Sequence, residues 1–269
     1  MNDAPSGPPT GRSSSVARLR AAGCVFAEEE AELLEEASGS EGVLDSLLRR
    51  REAGEPLEQI LGWVAFRGLR IPVAPGVFVP RVRTGFVVDT ALRMLGRADA
   101  TVLDLCCGAG AIARSLAEER PGLRLIAADL SPVAVACARR TLAGIAPVFE
   151  GDLFDALPAS ERGGIDLVVV NAPYVPTAAI ALMPPEARLH EPALSLDGGT
   201  DGLDLHRRIA REAPEWLAES GGVVIETSRV QSGATAGAFT EAGLATEILT
   251  DDDLDATVVV ATRRRTTRL

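Results

Sequence analysis

The stretch between residues 101 and 119 does most to limit what this chain can fold into. An apolar run, Val102-Leu103-Asp104-Leu105, carries a single carboxylate. It gives way to Cys106-Cys107-Gly108-Ala109-Gly110 and then to a helical pattern from residue 111 to 119. A short apolar run that ends in closely spaced glycines and enters a helix is a buried strand handing over through a tight turn. Gly108 and Gly110 remove side chains where the backbone must turn and approach a ligand. The helix start behind them offers free N–H groups and a positive dipole end.

The rest of the chain repeats this alternation. Strands are predicted over 125–129, 147–149, 165–170 and 223–226, with helices over 132–143, 203–218 and after Gln231. A terminal strand pair is predicted over 246–249 and 256–261, across the acidic turn Asp251-Asp252-Asp253. Strands alternating with helices call for a doubly wound, mostly parallel α/β sheet. Upstream, residues 1–15 are rich in Pro, Gly and Ser and are expected to be disordered. Residues 16–54 have the pattern of a small helical domain of two or three helices. Residues 55–85, punctuated by Gly and Pro around Leu69-Arg70-Ile71 and Val77-Phe78-Val79, predict a β-hairpin linker. A helix from about 84 to 95 leads into the main domain, which is taken as 86–269.

A dinucleotide site would continue the glycine pair as G-x-G-x-x-G. Here that position is Ala113, and the acid before the glycines decides the matter. A carboxylate at Asp104 would repel a pyrophosphate. It suits a ligand with an ammonium and a sulfonium group, such as S-adenosylmethionine. Asp129, at the tip of the second strand, can accept from ribose hydroxyls, as it would also do for a nicotinamide cofactor. Asp152 can accept from the adenine amino group or cap a turn, and Leu130 and Leu153 can sandwich the ring. Cys106, Cys107 and Ala109 are expected only to line the loop.

The fourth strand ends in Asn171-Ala172-Pro173-Tyr174. The carboxyl end of a strand beside the switch point is where such sheets place ligands. The Asn171 side-chain oxygen and the Ala172 carbonyl can each accept one N–H of a planar NH₂ group and so aim its lone pair at a methyl donor. Pro173 stiffens the loop, and Tyr174 can pack on the flat face of an amide. Asn171 is also a candidate contact of the cofactor. No dedicated base is needed, since the nitrogen becomes acidic as it gains the methyl group.

These motifs resemble the protein-(glutamine-N5) methyltransferases of the HemK type, which modify the Gly-Gly-Gln loop of peptide-chain release factors. Asn171-Ala172-Pro173-Tyr174 corresponds to that family's N-P-P-Y motif, and residues 104–110 to its glycine loop. Glu55-Pro56-Leu57-Glu58-Gln59-Ile60-Leu61-Gly62, Phe66-Arg67-Gly68-Leu69 and Pro75-Gly76-Val77-Phe78-Val79-Pro80-Arg81 are similar to its linker. His190-Glu191-Pro192-Ala193-Leu194 and Gly198-Gly199-Thr200-Asp201-Gly202-Leu203 extend the likeness, which covers roughly residues 50–262. The resemblance implies a Rossmann-like, seven-stranded class I methyltransferase sheet with an antiparallel last strand and a small N-terminal helical domain. It also implies S-adenosyl-L-methionine as cofactor and a release factor as protein substrate, gripped by the N-terminal region. The chain departs from the family at Ala172, where the first Pro of the motif would stand. It departs again at Arg83 and Gly85, where an acidic pair would follow the Pro-Arg element. Its N-terminal helical region is also short.

Composition narrows the alternatives. The formal net charge is -11, and all 27 basic residues are Arg. Such a chain is repelled by phosphate backbones, which argues against DNA as the acceptor and against direct nucleic-acid binding. The cluster Arg263, Arg264 and Arg265 reads as a solubilising tail. Four cysteines without metal spacing and only two histidines predict reduced thiols, a cytoplasmic protein and no metal. No apolar run approaches a membrane span, and a monomer is expected. An N-methyltransferase of a small molecule or of another protein remains open, as does a cofactor-binding protein without catalysis. An oxidoreductase would need a catalytic His or a Tyr-x-x-x-Lys pair that the chain lacks.

Overall fold

The computed structural model describes residues 12–183, 188 and 190–263. The expected disorder of residues 1–11 and the arginines at 264 and 265 lie outside these. The first helix, α1 (Arg12–Ala21), begins inside the segment expected to be disordered. It packs with α2 (Ala27–Ala37), α3 (Glu41–Glu52) and α4 (Leu57–Leu61) around Leu19, Ala31, Leu34, Leu48 and Ile60. Ion pairs tie the outside of this bundle. Arg51 meets Glu30 at 2.6 Å, and Arg18 bridges Asp45 and Glu52.

The linker differs from its expected layout. Its hairpin is β1 (Trp63–Phe66) and β2 (Leu69–Pro72), and α4 occupies its first residues. Arg67 and Gly68 both take positive φ, the geometry of a two-residue turn whose twist matches the strands. Arg67 then fastens the turn to the main domain by bonding Glu119, Asp89 and the Gly85 carbonyl. Val77-Phe78-Val79 forms no strand, because the turn at Pro75-Gly76 and Pro80 leave it no partner. Val77 and Val79 are buried in the core instead.

After α5 (Gly85–Met94) comes the main sheet. Its strands are β3 (Thr101–Leu105), β4 (Arg124–Asp129), β5 (Val148–Glu150), β6 (Ile165–Val170), β7 (Leu217–Thr227), β8 (Leu244–Asp251) and β9 (Ala256–Arg263). Among the described residues they lie in the order β5-β4-β3-β6-β7-β9-β8. β3 to β7 pair in parallel, and β9 runs antiparallel between β7 and β8. The connecting helices are α6 (Ala111–Glu119), α7 (Pro132–Thr141), the one-turn α8 (Thr177–Ile180), α9 (Asp204–Trp216) and α10 (Ser232–Glu241).

The central strands are buried on both faces, so they read as continuous apolar runs rather than alternating ones. Val102, Leu167, Val169 and Val224 face α5 and α6, whereas Leu103, Val168, Val170 and Ile225 face α9 and α10. β7 is longer than predicted. Its first half, Leu217-Ala-Glu-Ser-Gly-Gly222, has no apolar pattern, and it pairs with β6 across a register shift. Gly221 is required there, because a Cβ would lie 2.7 Å from the Ile165 carbonyl oxygen. The chain builds outward from β3 to β5, then returns to place β6 on the other side of β3. The carboxyl ends of β3, β4 and β6 therefore open onto one switch point.

Candidate active site

A cleft of about 660 Å³ opens at that switch point, within the range of small-ligand sites. The turn after β3 forms one wall. Cys106 and Gly108 take positive φ, and Gly110 caps α6 in the left-handed conformation. A Cβ on Gly110 would press on Leu142 at 3.2 Å, whereas Gly108 faces open space. Gly110 therefore serves packing, and Gly108 leaves room for a ligand.

Two carboxylates hold this turn. Asp129 accepts from the Gly108 and Ser131 N–H groups, each at 2.8 Å. One lone pair on each oxygen remains for a ligand. Asp104 is fully buried. One of its oxygens accepts from the Ala113 N–H at 2.9 Å, and the other has no partner. Burial pushes the Asp104 carboxyl up to about 8, and the charge of Asp129 adds to the rise. Burial also raises Asp129, against the backbone N–H groups that favour its charge. The same burial and the same carboxylates push both Cys106 and Cys107 up, so neither is a thiolate nucleophile.

The structure brings most of the sequence-predicted residues to this one cleft. Cys106, Cys107, Gly108 and Ala109 line it beside Asp129 and Leu130. Leu153 lines it in a strained backbone conformation, with φ of 49°. Asp152 lines it too, but both of its oxygens meet Arg208 at 3.1 Å. That pairing leaves Asp152 fewer free acceptors than its position in the sequence suggests. Asp104 and Gly110 lie behind the lining, as supports of the loop.

The opposite wall is the loop after β6. Asn171, Ala172, Pro173 and Tyr174 all face the cleft. Asn171 donates from Nδ2 to the Thr84 hydroxyl at 3.2 Å, which leaves its Oδ1 as an acceptor. Among the described residues nothing donates to the Ala172 carbonyl. Tyr174 is the chain's one tyrosine. Its hydroxyl donates to Glu226 and accepts from Arg83, both at 3.2 Å. Burial and the charge of Glu226 push that hydroxyl up to about 12, against the opposing pull of Arg83.

Sequence reasoning missed several residues of this wall. Glu226, next to last in β7, is 2% exposed, with its pKa raised first by burial. A carboxylate at the tip of a central strand, like Asp104 and Asp129, was a signal that could have found it. Thr84 gave no signal, since only the fold brings it to Asn171. Gln231 donates to the Tyr174 and Asp201 carbonyls at 2.8 and 3.0 Å and clamps the reaction loop to the glycine-rich loop after α8. Arg81 reaches from the linker to Glu191. Among the described residues no cluster of His, Cys, Asp and Glu is arranged to hold a metal ion. Nor is any described helix long and apolar enough to cross a membrane.

Comparison with known proteins points the same way. The family model "Methyltransferase small domain" matches residues 71–187. A protein of Streptomyces coelicolor named release factor glutamine methyltransferase is 42% identical over 72% of this chain and 70% of its own length. A 4-amino-L-phenylalanine/4-methylamino-L-phenylalanine methyltransferase of Streptomyces pristinaespiralis is 36% identical over 73% of this chain and 69% of its own length. Among solved structures, a methyltransferase from Pyrococcus furiosus superposes with a TM-score of 0.55. It covers 73% of this chain and 89% of its own, at 15% identity, and speaks for the fold alone.

Proposed function

The chain belongs to the release factor glutamine methyltransferase family, and from that we propose that it methylates the side-chain amide nitrogen of a glutamine in a peptide-chain release factor. The glutamine would be that of the Gly-Gly-Gln loop. One observation carries the reading. The Asn171–Tyr174 loop, with two free oxygen acceptors, faces the same cleft as the glycine turn.

S-adenosyl-L-methionine fits the groups that are present. The spare acceptors of Asp129 suit the ribose hydroxyls, and Leu130 and Leu153 suit the adenine faces, while Asp104, behind the lining, supports the loop that holds them. The carboxylates that crowd the strand tips disfavour a pyrophosphate. When bound, the cofactor supplies an electrophilic methyl group on a sulfonium. The protein's part is orientation. The Asn171 Oδ1 and the Ala172 carbonyl hold the two amide hydrogens of the acceptor, which fixes the nitrogen in one attitude. Tyr174, anchored by Arg83 and Glu226, covers the amide plane. The positive charge that develops on the nitrogen faces two carbonyl-type oxygens, which stabilise it. The nitrogen becomes acidic as it gains the methyl group, and its proton then leaves to water.

A second reading rests on Arg83. It puts a partly exposed guanidinium beside Tyr174, where family members carry an acid, and a guanidinium suits the carboxylate of a free amino acid. The relative named for an aryl-amine amino acid makes that acceptor class concrete. Measuring kcat/KM with release factor and with 4-amino-L-phenylalanine, side by side, separates the two. Preference for the release factor by orders of magnitude supports the first reading, and the reverse overturns it.

A further inference from the structure

The reaction loop does not end at Tyr174. Both backbone groups of the next residue are tied to one other segment. The Val175 N–H donates to the Leu196 carbonyl, and the Val175 carbonyl accepts from the Gly198 N–H, each at 2.9 Å. Val175 and Asp197 thus pair as one parallel bridge. Beyond it, the Thr177 N–H donates to the Gly199 carbonyl, and the Thr177 hydroxyl donates to Asp197 at 2.7 Å. Residues 191–199 also line the cleft, so they form a strap along it whose far end carries the reaction loop.

The strap is stiff between its ends. Pro192 fixes its own φ, and a single turn follows at Ala193–Ser195. The Ser195 N–H donates to the Pro192 carbonyl, and the Leu196 and Asp197 N–H groups both donate to the Ala193 carbonyl. Leu196 is buried and seats this turn, but apolar packing is non-directional and leaves its register open. A displacement at Glu191 is therefore passed on to Leu196 and Asp197.

At the near end, two groups from earlier in the chain hold the strap. Gln59 Nε2 donates to the His190 carbonyl at 3.4 Å, a long bond. The stronger tie is the ion pair between Arg81 and Glu191. The Glu191 side chain is 1% exposed, where a low dielectric strengthens the pairing, and Arg81 is 38% exposed. Arg81 also lies over the Phe78 ring, 5.2 Å from its centre. A buried ion pair adds little stability over an apolar contact of the same volume. What it adds here is one defined arrangement of the two segments that it joins.

We propose that Arg81 and Glu191 are positioning residues. Their ion pair sets the strap, and through the bridge at Val175 the strap sets the Asn171–Tyr174 loop against the acceptor. This rests on the reading of that loop as the element that holds the substrate nitrogen. Neither side chain has to touch the reacting atoms.

The test compares wild type with Arg81→Met, Arg81→Lys and Glu191→Met. The two Met variants remove the pair and keep an unbranched side chain. Each should lower kcat on release factor by about tenfold or more while cofactor affinity in calorimetry stays within about twofold. Arg81→Lys keeps the charge and should recover most of the rate lost in Arg81→Met. The double variant Arg81→Met/Glu191→Met should fall little below the worse single one, because both break the same tie. Full turnover by Arg81→Met, no recovery in Arg81→Lys, or a matching loss of cofactor affinity would overturn the proposal. Hydrogen exchange gives a readout that needs no activity. The amides of Val175 and Gly198 should exchange faster in both Met variants, while those of β3 and β6 keep their wild-type rates. Unchanged exchange at Val175 and Gly198 contradicts the strap. Faster exchange throughout the sheet would reduce the pair to a support of the whole fold and overturn the proposal as well. If Arg81→Met does not fold, Glu191→Met decides. A wild-type protein that methylates no release factor would instead count against the proposed acceptor, and the exchange measurement would still judge the positioning.

Discussion

Asn171 and Asp129 face each other across the cleft and should fail in different ways. Asn171→Ala should keep cofactor affinity and lose turnover by about a hundredfold, as expected when an orienting contact is removed. Asp129→Ala should weaken the cofactor, since it loses both the ribose acceptors and the bond that fixes Gly108. Calorimetry with S-adenosylmethionine, beside single-turnover rates, separates the two losses. Asp104 makes a third claim. Its carboxyl, raised to about 8 against 3.8 for a free aspartate, holds a proton in the folded state that the unfolded chain has released. Its contribution to stability is therefore greatest at low pH and is lost as pH rises from about 4 to about 8. Denaturant unfolding across pH 4 to 8 should show that loss in wild type and lack it in Asp104→Asn. Tyr174, as the sole tyrosine, gives a clean signal in ultraviolet titration and should titrate near 12. An ordinary value near 10 would mean that its hydroxyl is not held by Glu226 and buried as described.

At the level of elements, the glycine-rich loop after α8 is built to touch the reaction loop. A Cβ on Gly202 would lie 2.2 Å from the Tyr174 carbonyl oxygen and 2.4 Å from Gln231 Nε2, at a φ of 78°. Gly202→Ala should therefore cost roughly 2 kcal/mol or more in denaturant unfolding and displace Tyr174. An unchanged midpoint with full activity would contradict the packing. The sequence made some elements plain and hid others, for physical reasons. The strands at 101–105 and 165–170 were legible because burial on both faces makes them unbroken apolar runs. The first half of β7 was not, because Glu219, Ser220, Gly221 and Gly222 give it no apolar pattern. Val77-Phe78-Val79 has strand composition but no neighbour to pair with. The cleft residues on the strand tips could be named because strand ends mark the site in such sheets. Thr84 and Gln231 could not, since each meets its partners in the cleft wall at least 30 residues away in the chain.

As a whole, the molecule places one acidic cleft at the switch point of a single sheet, with a helical bundle joined by a hairpin that Arg67 pins to α5 and α6. The net charge of -11 and the buried carboxylates at the strand tips favour a cationic cofactor and a protein or small polar acceptor over a nucleic acid. The most direct test is methyl incorporation from labelled S-adenosylmethionine into purified release factor, beside the same factor with the glutamine of its Gly-Gly-Gln loop changed to alanine. Label in the intact factor and none in the alanine form is the result expected. Equal label in both, or none in either while the cofactor still binds, would contradict the assignment of that glutamine as the acceptor.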